Sequence, residues 1–203
     1  MPTNVLQEIL KVWNAGGWCM YPLALVALTM YTIAGQLLLQ FTRQGYKSIP
    51  QELWAGWILN PNNAEGEVGD MIRYTQEEVG SLTEIQDRFA EIRAAKMPRI
   101  DLRLNFLHIL VTAAPLLGLL GTVLGMIKTF AGISRGGGNL VEMISVGISE
   151  ALITTETGLL IALPGYFMAS VIRAKRNQYD AFLAHLESAT MQHFQKQANR
   201  TAA

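Results

Sequence analysis

The sequence contains a single cysteine, Cys19, so an intrachain disulfide is impossible. It has no cluster of cysteine and histidine with the spacing of a metal site, and no nucleophile and base arranged for catalysis. Lysine and arginine (16) balance aspartate and glutamate (16), and no basic stripe is interleaved with aromatic residues. We therefore expect a chain that is not an enzyme, needs no metal or other cofactor, and does not bind nucleic acid.

Charged residues are scarce in three long stretches of the sequence. The apolar segments 18–41, 106–134 and 141–172 approach or exceed the roughly 20 residues that a helix needs to cross a bilayer. The first has no charged residue, and the second has only Lys128, near its end. This pattern predicts an all-α integral membrane protein with three transmembrane helices at these positions.

Basic residues near the ends of the spans predict the orientation of the chain. They follow span one, precede span two and follow span three, at Arg43, Lys47, Lys96, Arg99, Arg103, Arg173, Lys175 and Arg176. Because lysine and arginine are retained on the cytoplasmic side, regions 42–105 and 173–203 should be cytoplasmic. The N-terminal segment 1–17 and the loop 135–140 should face the opposite side.

Helical spacing of apolar residues continues outside the spans. Segment 1–17 reads as an amphipathic helix at the membrane surface, or else as a frayed, partly helical tail. In the region 42–105 the spacing predicts one amphipathic helix from Glu67 to Lys96, with Pro98 marking a kink or a new helix start. Span three should continue as one long helix to about Gln197.

Small residues recur in spans two and three at alternating spacings of four and three. The positions include Gly118, Gly121 and Gly125 in span two, and Gly147 and Gly158 in span three. Helices in lipid associate through small residues that let their backbones approach, so these spans should pack closely with each other or with neighbouring helices. The alternative is that glycine is simply common in membrane helices.

Spans two and three each contain an internal proline, Pro115 and Pro164. Proline removes a backbone hydrogen bond from a helix and often kinks it. We expect either a kink at these positions or a tolerated proline without a mechanical role.

The stretch 148–158 of span three, "ISEALITTETG", holds two carboxylates, Glu150 and Glu156, inside one of the most apolar parts of the chain. A carboxylate at bilayer depth is costly and usually marks a functional group that is paired, buried or hydrated. At about 100° per residue, Glu150 shares a face with Thr154, whereas Glu156 lies about 120° away. Glu150 is predicted to be an ion-relay or partner-pairing acid, or else an interfacial glutamate capping the span. Glu156 is either a second acid of the pathway or a protonated acid inside a helix contact.

Three threonines accompany these acids along a possible polar path. Counted at about 1.5 Å per residue from the basic ends of the spans, Thr122 and Thr155 lie at nearly the same level. With Thr154 they are predicted to line a hydrated path. Each hydroxyl could instead bond back to its own backbone, which is common in membrane helices.

Two sequence motifs resemble the ExbB/TolQ/MotA proton-channel family, and its ExbB branch in particular. They are "APLLGLLGTVLGMIKTF" at 114–130 and "GISEALITTETGLLIALPG" at 147–165. By match to these motifs, Glu150 takes the place of the family's span-three glutamate, and Thr122 and Thr155 take the places of its pore-facing threonines. Glu156 departs from the pattern, since an apolar residue is common there.

The resemblance implies a function and partners. It implies a homo-oligomer, a pentamer, in the cell inner membrane with a periplasmic N-terminus and a cytoplasmic C-terminus. The oligomer would surround an ExbD-like single-span partner and use the proton motive force to drive a TonB-like protein, which energises outer-membrane transport. The alternatives are a TolQ-like motor subunit for envelope maintenance and a structural membrane scaffold that conducts no ions.

Overall fold

The regular structure of the chain is helical wherever it is described. The computed structural model describes Gln7 and residues 11–43, 49–77, 79–134 and 140–201. Residues 11–15 are helical, and a short 3-10 turn covers Pro61–Asn63. The longer helices are α1 (Met20–Arg43), α2 (Gln51–Leu59), α3 (Gly66–Gln76), α4 (Leu82–Ser134) and α5 (Leu140–Thr201).

Three of these helices, α1, α4 and α5, are long and apolar enough to cross a membrane. The prediction of an all-helical chain with three membrane-capable helices is thereby confirmed. Helices α4 and α5 contain 53 and 62 residues, far more than the roughly 20 that a crossing needs. Each therefore continues well beyond its predicted span. Most of the predicted N-terminal helix 1–17 lies outside the described residues, as does the loop 135–140 apart from Leu140.

The chain divides into two compact units, which we describe separately. The apolar unit comprises Met1–Gly35 and Asn105–Ser170, and the polar unit comprises Gln36–Leu104 and Val171–Ala203. Both α4 and α5 contribute residues to each unit. The apolar unit contains the charged and hydroxyl side chains that the sequence predicted to be functional.

The single amphipathic helix predicted from Glu67 to Lys96 is wrong, because α3 ends at Gln76 and α4 begins at Leu82. The break is set by local capping at the start of α4. The Glu84 N–H donates to Ser81 Oγ at 3.3 Å, and the Glu84 carboxylate accepts from the Gly80 N–H at 3.1 Å. This Ser-x-x-Glu arrangement resembles a capping box, which satisfies free N–H groups of a helix start.

Of the kink or new helix start predicted at Pro98, the new start is wrong, since α4 is continuous from Leu82 to Ser134, and the kink stays a prediction. Proline removes one backbone hydrogen bond from the helix. Met97 and Ile100 are both buried, so packing on either side of Pro98 offsets that loss.

The polar unit has a core formed by α2, α3 and the segments of α4 and α5 that belong to it. Ile72 on α3, Phe89 on α4 and Tyr179 on α5 are buried. Trp54 on α2 packs edge-to-face on Phe182, with ring centroids 6.3 Å apart. The apolar stripe of α3 and early α4 is therefore covered within this unit.

An arginine links α4 and α5 in the polar unit. Arg176 donates two hydrogen bonds to the Asp101 carboxylate, at 2.8 and 2.9 Å, and one to Asp180 at 3.3 Å. The hydrogen bonds to Asp101 raise the pKa of the Arg176 guanidinium above its usual value. Only a guanidinium can make this paired contact, because an ammonium is a single point charge.

In the apolar unit, α4 and α5 approach each other at their glycines. A Cβ added to Gly118 would lie 2.9 Å from the backbone oxygen of Thr154. A Cβ added to Gly158 would lie 2.8 Å from the backbone oxygen of Ala114. Real Cβ atoms do not approach other atoms this closely, so the contact requires glycine at both positions.

The same seam continues toward the other end of the two helices. Gly121 faces the side chain of Thr154, whose Cβ would lie 2.6 Å from an added Cβ. Gly125 lies against Ala151 and against Gly147, whose carbonyl oxygen would be 3.0 Å from an added Cβ. Of the two arrangements open to the sequence, the structure shows spans two and three packed on each other. We call this contact the glycine seam.

Helix α1 completes the apolar unit. Met30 is fully buried, and its sulfur would lie 2.6 Å from a Cβ added to Gly165. The hydroxyl of Tyr31 donates to the carbonyl of Ile161 at 3.0 Å. Both α4 and α5 continue through their prolines, Pro115 and Pro164, and the kinks expected there stay predictions.

We expect Gly158→Ala to destabilise the protein by about 1–3 kcal/mol, because the new methyl group meets backbone atoms that cannot rotate away. Gly35→Ala on α1 is the matched control, since nothing lies within 4 Å of its added Cβ. Alanine in a helix interior is favoured over glycine by roughly 0.5–1 kcal/mol, so the control should be neutral or stabilising. Unfolding of the full chain in detergent measures both, and equal stability of the two variants would contradict the seam.

We expect Arg176→Lys to lower the free energy of unfolding by about 1 kcal/mol, because lysine loses the paired contact with Asp101. Arg173→Lys at an exposed position on the same helix is the control and should have little effect. Thermal unfolding at low and high salt measures the difference, which should shrink in salt. If the Arg176→Lys protein were as stable as the Arg173→Lys control, the paired contact would contribute nothing to the free energy of unfolding.

Candidate functional site

Glu150 on α5 forms an ion pair inside the chain. Its Oε1 lies 2.5 Å from Nζ of Lys128 on α4. The Glu150 side chain is 19% exposed and the Lys128 side chain 58% exposed, so the carboxylate is the more enclosed member. The sequence predicted Glu150 as a pairing acid but did not identify Lys128 as its partner.

A signal for Lys128 was present in the sequence. It is the only lysine, arginine, aspartate or glutamate in the segment 106–134. The same counting that placed Thr122 level with Thr155 puts Lys128 within roughly 4 Å of the level of Glu150. A cation and an anion at one level of adjacent spans are candidates for a pair.

A glycine turn forms another side of the Glu150 environment. Gly17 has φ 65°, the left-handed conformation that side-chain-bearing residues rarely adopt. A Cβ added to Gly17 would lie 2.7 Å from the carboxyl carbon of Glu150. Glycine is therefore needed both for the backbone conformation and for the close approach of the carboxylate.

Thr154 faces the glycine seam and is fully buried. Its hydroxyl donates to the carbonyl of Ala151 at 2.8 Å and lies 3.2 Å from that of Glu150. This is the backbone-bonded arrangement that the sequence left open for membrane threonines. A role for Thr154 in a hydrated path stays a prediction.

The hydroxyls of Thr122 and Thr155 bond to carbonyls in one turn of α4. The Thr122 hydroxyl donates to the carbonyl of Leu119 at 2.7 Å, within α4. The Thr155 hydroxyl crosses the seam and donates to the carbonyl of Gly118 at 3.2 Å. Two consecutive carbonyls of α4 thus accept these two hydroxyls, and both threonines are half-buried.

Glu156 lies apart from this cluster. Its side chain is exposed on the outer side of the apolar unit, among exposed leucines of α5 that include Leu152 and Leu160. It is six residues from Glu150, which is about 9 Å along the helix axis. The structure therefore places the two acids of span three in different surroundings.

The site combines an ion pair with a row of hydroxyl groups. The Glu150 carboxylate contacts the Lys128 ammonium, and hydroxyls bonded to carbonyls follow along the seam. Among the residues that the structure describes, no group of three histidine, cysteine, aspartate or glutamate side chains could hold a metal ion.

Comparison with known proteins bears on the same region. The model of the MotA/TolQ/ExbB proton channel family matches residues 67–184. This range contains α4 and α5 across the whole glycine seam, together with Lys128 and Glu150.

Several curated proteins resemble the chain over part of its length. It is 34% identical over 94 residues to a "Putative biopolymer transport protein ExbB-like 3" of Synechocystis sp., covering 45% of this chain and 45% of that protein. It is 37% identical over 83 residues to "Biopolymer transport protein exbB1" of Vibrio cholerae serotype O1, covering 40% of this chain and 36% of that protein. It is 37% identical over 65 residues to "Tol-Pal system protein TolQ" of Haemophilus influenzae, covering 32% of this chain and 28% of that protein. The chain thus matches less than half the length of each relative.

The match to the family covers more than half of the 203 residues and includes both helices that form the seam. The chain therefore belongs to the MotA/TolQ/ExbB proton channel family.

Proposed function

We propose that the chain is a proton-channel motor subunit of the cell inner membrane. It self-associates, as a pentamer, around an ExbD-like single-span partner and uses the proton motive force to drive a TonB-like protein. That protein in turn energises outer-membrane transport. The N-terminus is periplasmic and the C-terminus cytoplasmic.

The observation that carries this proposal is the carboxylate of Glu150 within an apolar helix of a proton-channel family member. An ionisable group inside a span is costly unless it is paired, and it commonly belongs to an ion pathway. Lys128 supplies the pairing charge, and the Gly17 turn encloses the carboxylate.

The hydroxyls of Thr122 and Thr155 continue from Glu150 along the seam. Thr155 is five residues from Glu150, which is about 7.5 Å along the helix axis. Its hydroxyl reaches a carbonyl of the neighbouring helix rather than only its own. Such groups bind water as donors and acceptors, so they support a proton path that leads away from the carboxylate.

The energy available fits a mechanical role. One elementary charge moving through 100 mV releases about 2.3 kcal/mol. Several protons per cycle therefore supply more energy than one exposed ion pair, which is worth about 1 kcal/mol or less. The family's proton chemistry can thus displace helices that rest on such contacts.

Two observations support other functions. The similarity to a TolQ protein is as high in identity as that to exbB1, at 37% for both, which favours a TolQ-like role in envelope maintenance as the second candidate. The Glu150 carboxylate is also satisfied within one chain, as a structural scaffold without ion conduction would require. The partner that co-purifies with the native complex distinguishes the TolQ-like role from the proposed one. A measurement of proton flux distinguishes the scaffold, which would conduct none.

We expect Glu150→Gln to abolish proton flux, because the amide cannot take up and release a proton. Glu156→Gln is the comparison within the same helix and should reduce flux less, since Glu156 lies outside the cluster. The measurement is acidification of liposomes that contain the chain with its co-purified partner under an imposed potential.

Complex size on a gel-filtration column should be unchanged in both variants. Native flux through Glu150→Gln would refute the assigned role, and equal losses in the two variants would refute their ranking. A native complex that passes no protons would favour the scaffold.

We expect Thr155→Val to lower proton flux several-fold, because valine keeps the shape of threonine but removes the hydroxyl that crosses the seam. Thr29→Val on α1 is the matched control, since that hydroxyl bonds to the Leu25 carbonyl of its own helix at 2.8 Å. The same liposome assay reads both variants. Equal flux in Thr155→Val and Thr29→Val would remove Thr155 from the path.

A further inference from the structure

Lys128 is placed to act on Glu150 rather than on the membrane surface. A lysine near the end of a span often extends its ammonium toward the interface. Here the ammonium of Lys128 contacts Glu150 Oε1 at 2.5 Å, although more than half of the lysine side chain is exposed. The enclosed carboxylate therefore receives its counter-charge from the neighbouring helix.

The Gly17 turn closes the carboxylate from another direction. The space in which a Cβ of Gly17 would sit is occupied by the Glu150 carboxyl group, whose Cγ lies 3.3 Å from that position. The adjacent Gly16 lies against Ile153, one turn further along α5, at 3.3 Å from its added Cβ. Glu150 is thus held between an ammonium on one side and backbone on another.

The charged groups around Glu150 are few in the described part of the chain. Helix α4 presents Lys128 to it, Gly16 and Gly17 carry no side chain, and the nearest titratable groups before and after that turn are Lys11 and Cys19. On α5 itself the nearest acids are Glu142 and Glu156, eight and six residues away. Among the described residues, Lys128 is therefore the charged group that contacts the Glu150 carboxylate.

We propose that Lys128 is a positioning residue that keeps Glu150 ionised between proton transfers, with the Gly17 turn holding the carboxylate in place. The inference rests on the proposed function, in which Glu150 carries the proton. When a proton from water adds to a carboxylate oxygen, Glu150 becomes a neutral acid, the ion pair is lost and Lys128 remains an ammonium. Release of that proton restores the pair, so Lys128 sets how readily Glu150 takes up a proton without transferring one itself.

The first test reads the charge of Glu150 directly, without a partner or an assay of flux. Infrared spectra of the full chain in lipid are recorded at neutral pH for the native protein, Lys128→Gln, Lys128→Arg and the double variant Lys128→Gln with Glu150→Gln. Lys128→Gln should gain a protonated-carboxyl band that is absent from Lys128→Arg and from the double variant. A Lys128→Gln spectrum identical to the native one would overturn the proposal, as would a new band that persists in the double variant.

A charge exchange covers the case in which Lys128→Gln does not fold. The variant Lys128→Glu with Glu150→Lys reverses the pair and retains its attraction. If the ion pair is the contact that matters, this exchange recovers native helix content and complex size. Failure of the exchanged chain to recover them would overturn the proposal.

The second test uses proton flux and separates this inference from the proposed function. In liposomes, the pH dependence of flux should move to higher pH in Lys128→Gln and stay native in Lys128→Arg. Gly17→Ala should lower flux, whereas Gly35→Ala, with open space around its added Cβ, should not.

If native flux is absent but the infrared result holds, the proposed function fails and the positioning role stands. If native flux is present and Lys128→Gln matches it in both spectrum and pH dependence, the positioning role fails alone.

Discussion

The close approach of the α4 and α5 backbones is the constraint on which the apolar unit depends. No side chain fits at Gly118 or Gly158, where the opposing backbone oxygens already occupy the available space. Lipid provides no hydrophobic drive between helices, so contact must come from packing and from polar groups that find partners. The hydroxyl of Thr155 can reach the Gly118 carbonyl only because the two backbones come this close. Packing and polar contacts therefore reinforce each other along one seam.

The seam also explains how a carboxylate is accommodated at one of its ends. Near Gly125 and Gly147, the side chains of Lys128 and Glu150 reach each other across the same pair of helices. An isolated carboxylate at that depth would be costly, and a cation on the adjacent helix lowers the cost. Glu156, on the exposed side of α5, has no such place in the seam. In the proposed oligomer, a neighbouring subunit or partner helix would shield it from lipid.

Much of this arrangement follows from the sequence, because a bilayer restricts helix length and the residues that helices present to each other. The three spans, the small-residue stripes and the carboxylate of Glu150 inside span three are all visible in the sequence. The pairing of Glu150 with Lys128 was not predicted, because the two residues share only a level along the spans, and which faces of two helices meet depends on tertiary packing. The break before Leu82 was missed because the apolar period continues across it, whereas the capping by Ser81 and Glu84 decides the structure. The left-handed conformation of Gly17 depends likewise on a tertiary contact.

The site joins a reversible charge to a contact between two helices. In the proposed function, protonation of Glu150 removes the attraction that draws Lys128 on α4 toward α5. The seam beside it is built largely from glycine and other small residues, which interlock less than large side chains do. Resistance to relative movement then comes mainly from contacts such as the ion pair and the Thr155 hydrogen bond. A proton that neutralises one of these contacts weakens the hold between the helices at the point where it binds, and its release restores that hold.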